Sequence, residues 1–382
     1  MRLKRIVAAL LGALLLLSAA ACNDAKEPAQ SPSPGQGSGG VVTLEDLYTQ
    51  KAPDTVMLTV EGQEVRWDEL FYFVQYSVYQ LLGGTDILMS WTEPYGEDKT
   101  VRQVVLENAV QLLLQNEAVL YGAKLMNVTL SEEDEREVQA QWDQYVDTYG
   151  EEELLNMLRE QYCTKEQCFE ILRISALLKK CLAETFGEHG EKLSEADLAE
   201  YVRNEDYMMA KHILIKTTKT DGETGKDVPM TEEEKAQARE KAERLLAELD
   251  SAPKEELDET FDRLVSAYSE DPGSTSYPEG YLFTKGNMVP EFENATRALE
   301  VGQYSGLVET TYGYHIIYRV PVDYDAVPIS YSAYGGEYSL RTLTAYSMFQ
   351  ALMDGWQEQL QVTYSDDLYS LDFESAGYQR IG

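Results

Sequence analysis

The pattern of apolar residues changes near residue 206 of this 382-residue chain. Before that point, apolar side chains recur at helical spacing, and hydroxyl residues stand three positions ahead of an acid or amide, as at helix N-termini. The pairs are Ser131 with Asp134, Thr164 with Gln167, and Ser194 with Asp197. After it, residues 207–216 (YMMAKHILIK) alternate as in a β-strand. The chain is therefore expected to combine a helical domain, residues 44–205, with a mixed α+β domain.

The mixed part, residues 206–321, is expected to form one small domain with a single core. Thr231 and Glu234 predict a helix start after a polar loop that runs through Asp227. A second helix fits residues 261–268, and Pro290 starts a third, with Gly302 just past its end. A final strand covers residues 314–320. The predicted order is strand, three helices, strand.

The C-terminal segment, residues 322–382, requires a partner. Residues 339–360 carry apolar side chains at helical spacing, and an amphipathic helix of this kind is unstable alone. We expect it to fold back onto the helices of residues 44–205. The predicted fold class is α+β: a small domain with an antiparallel sheet and surrounding helices, inserted in a mostly helical domain.

The N-terminus has the features of an export signal. Residues 1–21 run from basic through apolar to small side chains, and the apolar stretch is shorter than the ~20 residues that span a membrane. Residues 18–22 (SAAAC) resemble a bacterial lipobox, which implies lipidation of Cys22. An ordinary signal peptide with a cysteine near its cleavage site is the alternative. Residues 22–43, rich in Pro, Gly and Ser, predict a flexible tether.

The charge balance excludes one class of partner. Sixty-seven acidic residues against 32 basic ones give a formal net charge of -35. A nucleic acid would be repelled, because binding its backbone requires a basic surface that displaces counterions.

Five segments in the second half resemble the parvulin family of peptidyl-prolyl cis/trans isomerases, in order and at the right separations. They are AKHILI (210–215), YSEDPGS (268–274), GNMVPEFE (286–293), LEVGQ (299–303) and YGYHII (312–317). The layout as a whole is similar to PrsA-type extracytoplasmic foldase lipoproteins, and the helical part also resembles the chaperone domain of periplasmic parvulins. The resemblance implies a parvulin-like domain inserted in a chaperone-like domain.

Prolyl isomerisation makes and breaks no covalent bond, so it needs no nucleophile, metal or cofactor. A catalyst must hold the proline ring in an apolar cup and favour the twisted amide. Met288 and Phe292, spaced i and i+4, are candidates for one wall of the cup. Candidates for its hydrogen-bonding floor are His212, Asp271, Thr310 and His315.

The resemblance assigns the same residues. By it, His212 and His315 correspond to the paired histidines of the parvulin site, and Asp271 to the acidic or thiol position between them. Thr310 corresponds to the hydroxyl of that network, and Met288 and Phe292 to the proline pocket. Residues 276–283 (SYPEGYLF) depart from the family pattern of a glycine pair followed by Asp-Leu-Gly. Leu282 is the candidate for the missing apolar contact.

Structural explanations compete with these assignments. Strand histidines are commonly structural, and Met288 and Phe292 taken alone would be core residues. Cys163, Cys168 and Cys181 suggest a metal or redox site, but a zinc site requires four convergent ligands and the sequence near them does not supply four. Small buried hydrophobic residues are the simpler interpretation.

Two functions follow. The first is a membrane-anchored extracytoplasmic foldase that isomerises Xaa-Pro bonds in newly exported polypeptides and also holds unfolded ones. The second is a holdase chaperone whose parvulin domain is weak or silent. A solute-binding lipoprotein is a distant third, because no motif indicates a small-ligand site.

Overall fold

The computed structural model describes residues 43–82, 91–96, 98–220, 222, 224–329 and 336–372. The predicted signal peptide, Cys22 and nearly all of the tether lie outside the described residues. In chain order the helices are α1 (Leu44–Tyr48), α2 (Trp67–Leu82), α3 (Val101–Leu125), α4 (Glu132–Tyr149), α5 (Glu151–Glu160), α6 (Lys165–Phe186), α7 (Glu195–Asn204), α8 (Glu232–Asp250), α9 (Leu257–Tyr268), α10 (Pro290–Ala298), α11 (Leu340–Gln359) and α12 (Asp366–Tyr369). Short 3₁₀ helices cover Lys254–Glu256 and Pro272–Thr275.

The strands are β1 (Val56–Val60), β2 (Gln63–Arg66), β3 (Pro94–Tyr95), β4 (Lys99–Thr100), β5 (Met208–Lys216), β6 (Thr218–Thr220), β7 (Asp227–Pro229), β8 (Tyr281–Phe283), β9 (Val308–Glu309), β10 (Gly313–Val320) and β11 (Val362–Tyr364). They form sheets with the orders β11-β1-β2, β8-β5-β10-β9, β3-β4 and β6-β7. All of these pairings are antiparallel.

The chain divides into two compact units. Described residues of Met1–Glu188 and Tyr346–Gly382 form the first, and those of His189–Ala345 form the second. The predicted fold class, a mixed domain inserted in a mostly helical one, is confirmed. The second unit is wider than the predicted 206–321, because Tyr201, Tyr324 and Leu340 pack into its core. Helical periodicity marks a buried face and does not tell which core buries it.

In the first unit, the C-terminal segment completes structure that begins near the N-terminus. Strand β11 pairs with β1, with Leu58 opposite Tyr364. Helix α3 packs closely on α11: a Cβ at Gly122 would lie 2.2 Å from the indole of Trp356. This part of α11 thus packs on a helix within residues 44–205, the part of the chain onto which residues 339–360 are expected to fold.

The predicted helix starts are all present. Ser131, Thr164, Ser194 and Thr231 each cap a helix, and the residue three positions on bonds back in a capping box. Each box satisfies two backbone N–H groups that a helix would otherwise leave without partners.

The three cysteines among the described residues, Cys163, Cys168 and Cys181, are free and buried, as expected of small hydrophobic residues. Cys163 and Cys168 flank the N-terminus of α6 and share one apolar cluster. Burial raises the pKa of Cys168 and of Cys181 to about 11, which keeps these thiols neutral. None of the described helices combines the length and apolar character needed to cross a bilayer.

In the second unit, helices α8 and α9 cover one face of the sheet β8-β5-β10-β9, and α10 lies on the other. Two local predictions need correction. The polar loop after β5 contains the hairpin β6-β7, and α10 ends at Ala298 instead of running up to Gly302. Gly302 instead donates its backbone N–H to Arg319 O in the neighbouring strand.

Candidate active site

The two histidines lie on the central strand pair of the second unit. His212 in β5 is opposite Ile317, and His315 in β10 is opposite Leu214, so the histidines are diagonal neighbours on one face of the sheet. Their rings stack at 15° with centroids 5.1 Å apart, and their Nδ1 atoms are 3.0 Å apart. Both side chains are buried.

Thr310 lies at one end of this pair. Its Oγ1 is 2.8 Å from His315 Nε2, and it accepts a hydrogen bond of 3.1 Å from the backbone N–H of Tyr312. The turn that carries Thr310 requires Gly313, because a Cβ there would lie 2.2 Å from Ile215 O. Because Thr310 Oγ1 accepts the backbone N–H of Tyr312, the hydroxyl proton of Thr310 is available to His315.

Asp271 lies at the other end. The segment that follows α9 runs along β5, with Glu270 N–H donating to Leu214 O at 2.8 Å and Leu214 N–H donating to Ser269 Oγ at 3.1 Å. This attachment brings Asp271 Oδ2 to 3.0 Å from His212 Nε2. The contact is too poorly aligned for a good hydrogen bond, so we treat it as electrostatic.

The pKa values fix the charges of Asp271 and His315. Burial raises the pKa of Asp271, but the contacts from His212 and Tyr281 outweigh it and lower the pKa to about 2. Burial and the neighbouring His212 lower the pKa of His315 to about 4. At neutral pH the site thus holds a carboxylate and a neutral His315.

One hydrogen of this line follows from the carboxylate. Asp271 only accepts, so the Nε2 of His212 that faces it carries a hydrogen. The contact of Thr310 Oγ1 with His315 Nε2, at 2.8 Å, and that between the two Nδ1 atoms, at 3.0 Å, each hold one hydrogen, and the tautomer of His315 sets the direction of both.

An apolar wall adjoins this line of polar groups. Phe292, from α10, is 2% exposed and stands edge-on to both imidazoles, with centroids 5.2 Å from His212 and 5.6 Å from His315. Met288 is partly exposed and packs on the same cluster. Phe292 therefore backs the site, and Met288 is the apolar side chain available to a ligand.

Leu282 is not brought to this site. Residues 281–283 alternate across the sheet, and Leu282 points into the core under α8 and α9, where it is 1% exposed. Its neighbours Tyr281 and Phe283 occupy the face with the histidines. The predicted contact was therefore misplaced by one position, which in a strand moves a side chain to the opposite face.

Two residues with a clear place in the site were missed from the sequence. Tyr281 donates its hydroxyl to Asp271 Oδ2 at 2.5 Å. Buried Glu293 accepts from the backbone N–H groups of Gly286 and Met288, at 2.7 and 3.0 Å, and so fixes the loop that carries Met288. Glu293 belongs to one of the segments that resemble the parvulin family, but only the structure reveals its buried contacts. Tyr281 could have been suspected only through Gly273, because a Cβ at that position would collide with the Tyr281 hydroxyl.

Among the residues that the structure describes, no group of three or more His, Cys, Asp or Glu side chains is arranged to hold a metal ion. The chemistry available to the described site is that of hydrogen bonds, one carboxylate and an apolar wall.

Comparison with known proteins assigns the segment that carries this site. Residues 212–320 match the family model of the rotamase, or PPIC-type peptidyl-prolyl isomerase, domain. The chain is 33% identical over 171 residues to foldase protein PrsA of Oceanobacillus iheyensis, covering 44% of this chain and 46% of that protein. It is 25% identical over 205 residues to a putative peptidyl-prolyl cis-trans isomerase of Helicobacter pylori, covering 53% and 57%. To chaperone SurA of Alkalilimnicola ehrlichii it is 38% identical over 109 residues, covering 28% and 21%.

The first two relatives are therefore matched over about half of their length. Solved structures of PrsA from Bacillus subtilis and Bacillus cereus are 18% and 17% identical to this chain, with TM-scores of 0.24 and 0.29. These matches cover 81% and 86% of this chain, and 92% and 96% of those proteins. The sequence matches confirm the predicted resemblance to parvulin-type isomerases and PrsA-type foldases, and the match to the PPIC-type isomerase domain covers residues 212–320.

Proposed function

We propose that this chain is an extracytoplasmic foldase that catalyses cis/trans isomerisation of Xaa-Pro bonds in incompletely folded, newly exported polypeptides. The observation that carries the proposal is the line Thr310, His315, His212 and Asp271, which lies beside an apolar wall within a PPIC-type isomerase domain. The cis and trans forms are separated by a barrier of ~18–20 kcal/mol that arises from amide resonance.

The site acts on that resonance without covalent chemistry. The planar amide has partial negative charge on its oxygen and partial positive charge on its nitrogen. An anion near the carbonyl disfavours this distribution, so the Asp271 carboxylate destabilises the planar form relative to the twisted one. Met288 and Phe292 form the apolar wall for the proline ring, and His212 lies between the carboxylate and neutral His315.

The test uses the purified full chain and a proline peptide whose cis/trans exchange is followed directly. Asp271→Ala is expected to lower kcat by about tenfold to 100-fold, because one preorganised charge is lost. Asp262→Ala is the matched control: Asp262 is on α9 in the same unit, is half-exposed and pairs with Lys211. Wild-type exchange at the uncatalysed rate, or equal loss in both variants, contradicts the proposal.

The helical unit is proposed to hold unfolded clients. The support is that this unit has a core of its own and that 109 residues of the chain are similar to a protein named as a chaperone. In a pure holdase, the alternative, the wild type would delay client aggregation but leave proline exchange at the uncatalysed rate. In a foldase, Asp271→Ala retains the delay of aggregation and loses most of the exchange activity, which separates the two functions in one protein.

Attachment to the membrane through lipidated Cys22 completes the proposal. Its support is the lipobox-like sequence before Cys22 and the Pro- and Gly-rich tether after it. The wild type should sediment with membranes, and Cys22→Ala should release it. A fully soluble wild type argues against the anchor and leaves the isomerase proposal intact.

A further inference from the structure

Tyr281 lies where the sequence departs from the family pattern. It is the first residue of β8, and its ring stands edge-on to His212 at 87°, with centroids 5.5 Å apart. Its hydroxyl donates to Asp271 Oδ2 at 2.5 Å. The tyrosine thus meets two members of the polar line.

The same carboxylate oxygen faces both Tyr281 and His212. His212 Nε2 approaches it to 3.0 Å, but this buried nitrogen has no well-aligned hydrogen-bond partner among the described residues. The hydroxyl of Tyr281 therefore makes the well-formed side-chain hydrogen bond to Asp271. A short bond from a neutral donor to an ionised acceptor fixes the direction of the carboxylate.

The backbone leaves room for this hydroxyl. A Cβ at Gly273 would lie 2.0 Å from the Tyr281 hydroxyl oxygen and 3.0 Å from its Cζ. Any residue larger than glycine at position 273 would displace the hydroxyl from Asp271. Gly280, at a φ of 116°, brings the chain past Ala210 O just before Tyr281.

On these observations we infer that Tyr281 is a positioning residue: its hydroxyl orients the Asp271 carboxylate toward His212 and the bound prolyl amide. This inference rests on the proposed isomerase function. Burial and the nearby Asp271 raise the pKa of Tyr281, so the phenol stays protonated and remains a donor. The segment 276–283, which departs from the family pattern, thus supplies a hydrogen bond to Asp271.

A simpler role is an apolar wall, because the ring of Tyr281 also packs on that of Tyr277, with centroids 4.8 Å apart. Tyr281→Phe separates the two roles, since it keeps the ring and removes the hydroxyl. Tyr277→Phe is the matched control, because it removes a tyrosine hydroxyl from the partner ring, which is 39% exposed.

The experiment measures kcat and KM of the full chain for a proline peptide across pH. Loss of a hydrogen bond to a charged group predicts that Tyr281→Phe lowers kcat about tenfold with KM unchanged. The ratio of its kcat to that of the wild type should fall further as pH drops from the ordinary carboxyl pKa of 3.8 toward the wild-type value of about 2, because loss of the hydroxyl raises the pKa of Asp271. Tyr277→Phe should match the wild type throughout.

A double-mutant cycle gives a second, independent measurement. Gly273→Ala should lower kcat about as much as Tyr281→Phe, since it displaces the same hydroxyl. Combined with Tyr281→Phe it should cost little more, because the two changes remove one interaction. Full additivity contradicts the inference.

The outcomes distinguish the inference from the function on which it rests. An active wild type with unchanged kcat in Tyr281→Phe overturns the inference alone. So does a raised KM with no change in the pH dependence, which is the result expected of an apolar wall. A wild type without activity overturns both.

Discussion

The two faces of the sheet β8-β5-β10-β9 are built from the same strands and serve different ends. One face presents Met209, Ile213 and Ile316 to two helices and is apolar. The other presents His212 and His315 beside Phe292 and is covered by the short helix α10. Because side chains alternate along a strand, neighbouring residues can be assigned separately to stability and to chemistry. Three predictions test how complete this separation is.

The largest expected effect is on stability, from a residue of the apolar face. Leu282→Ala should lower the free energy of unfolding by about 2–5 kcal/mol, because it empties space in a packed core. Urea denaturation of the full chain measures this, and KM for a proline peptide should not change in the folded protein. A raised KM with little loss of stability would return Leu282 to the site and break the comparison.

The next effect comes from the polar face and depends on pH. His315 has a pKa of about 4 in the folded protein, below the ordinary 6.5. Its neutral form is therefore stabilising above about pH 6.5, and up to about 3 kcal/mol is lost as pH falls from there to about 4, because the unfolded chain binds the proton more readily.

His315→Gln, which cannot titrate, should show a shallower decline in the free energy of unfolding over this range. The two proteins should be compared by urea denaturation at several pH values, so that any constant offset caused by the substitution is removed. Parallel pH dependence in both would show that His315 does not titrate with folding.

The smallest effect on stability is expected at the accessible wall of the site. Met288→Ala should cost less than about 1 kcal/mol of unfolding free energy, since its side chain is only partly buried, and should raise KM severalfold by opening the cup. Paired with Leu282→Ala, it contrasts two apolar residues on opposite faces. A stability loss as large as that of Leu282→Ala would make Met288 a core residue.

The sequence predicted features set by neighbouring residues. The capping boxes and the long strands follow from local chemistry and apolar spacing, and the structure contains them. The four polar site residues were also predicted, because each lies in or next to a segment with family resemblance. They meet in space as a line of short contacts.

What escaped prediction depends on long-range geometry. The alternation of side chains along a strand shows that Tyr281 and Leu282 point to opposite faces of the sheet. Which of the two faces the histidines is decided by the pairing of β8 with β5. The outer limits of the second unit were missed for a similar reason, since α7 has an ordinary helical pattern and its core partner lies in another element. The hairpin β6-β7 has strands of three residues, too short for a periodic signal.

The pairing of β1 with β11 has a consequence for the order in which the molecule folds. Gln361 donates its backbone N–H to Glu61 across 300 positions of sequence, and the strands on either side close the sheet of the first unit. The entropy of closing a loop grows only slowly with its length, so this pairing is thermodynamically feasible, but such distant contacts form late. A growing chain carries all of His189–Ala345 before β11 is made. The inserted unit is therefore free to fold first, and until the last strand is available β1 keeps an open edge to which other strands can add.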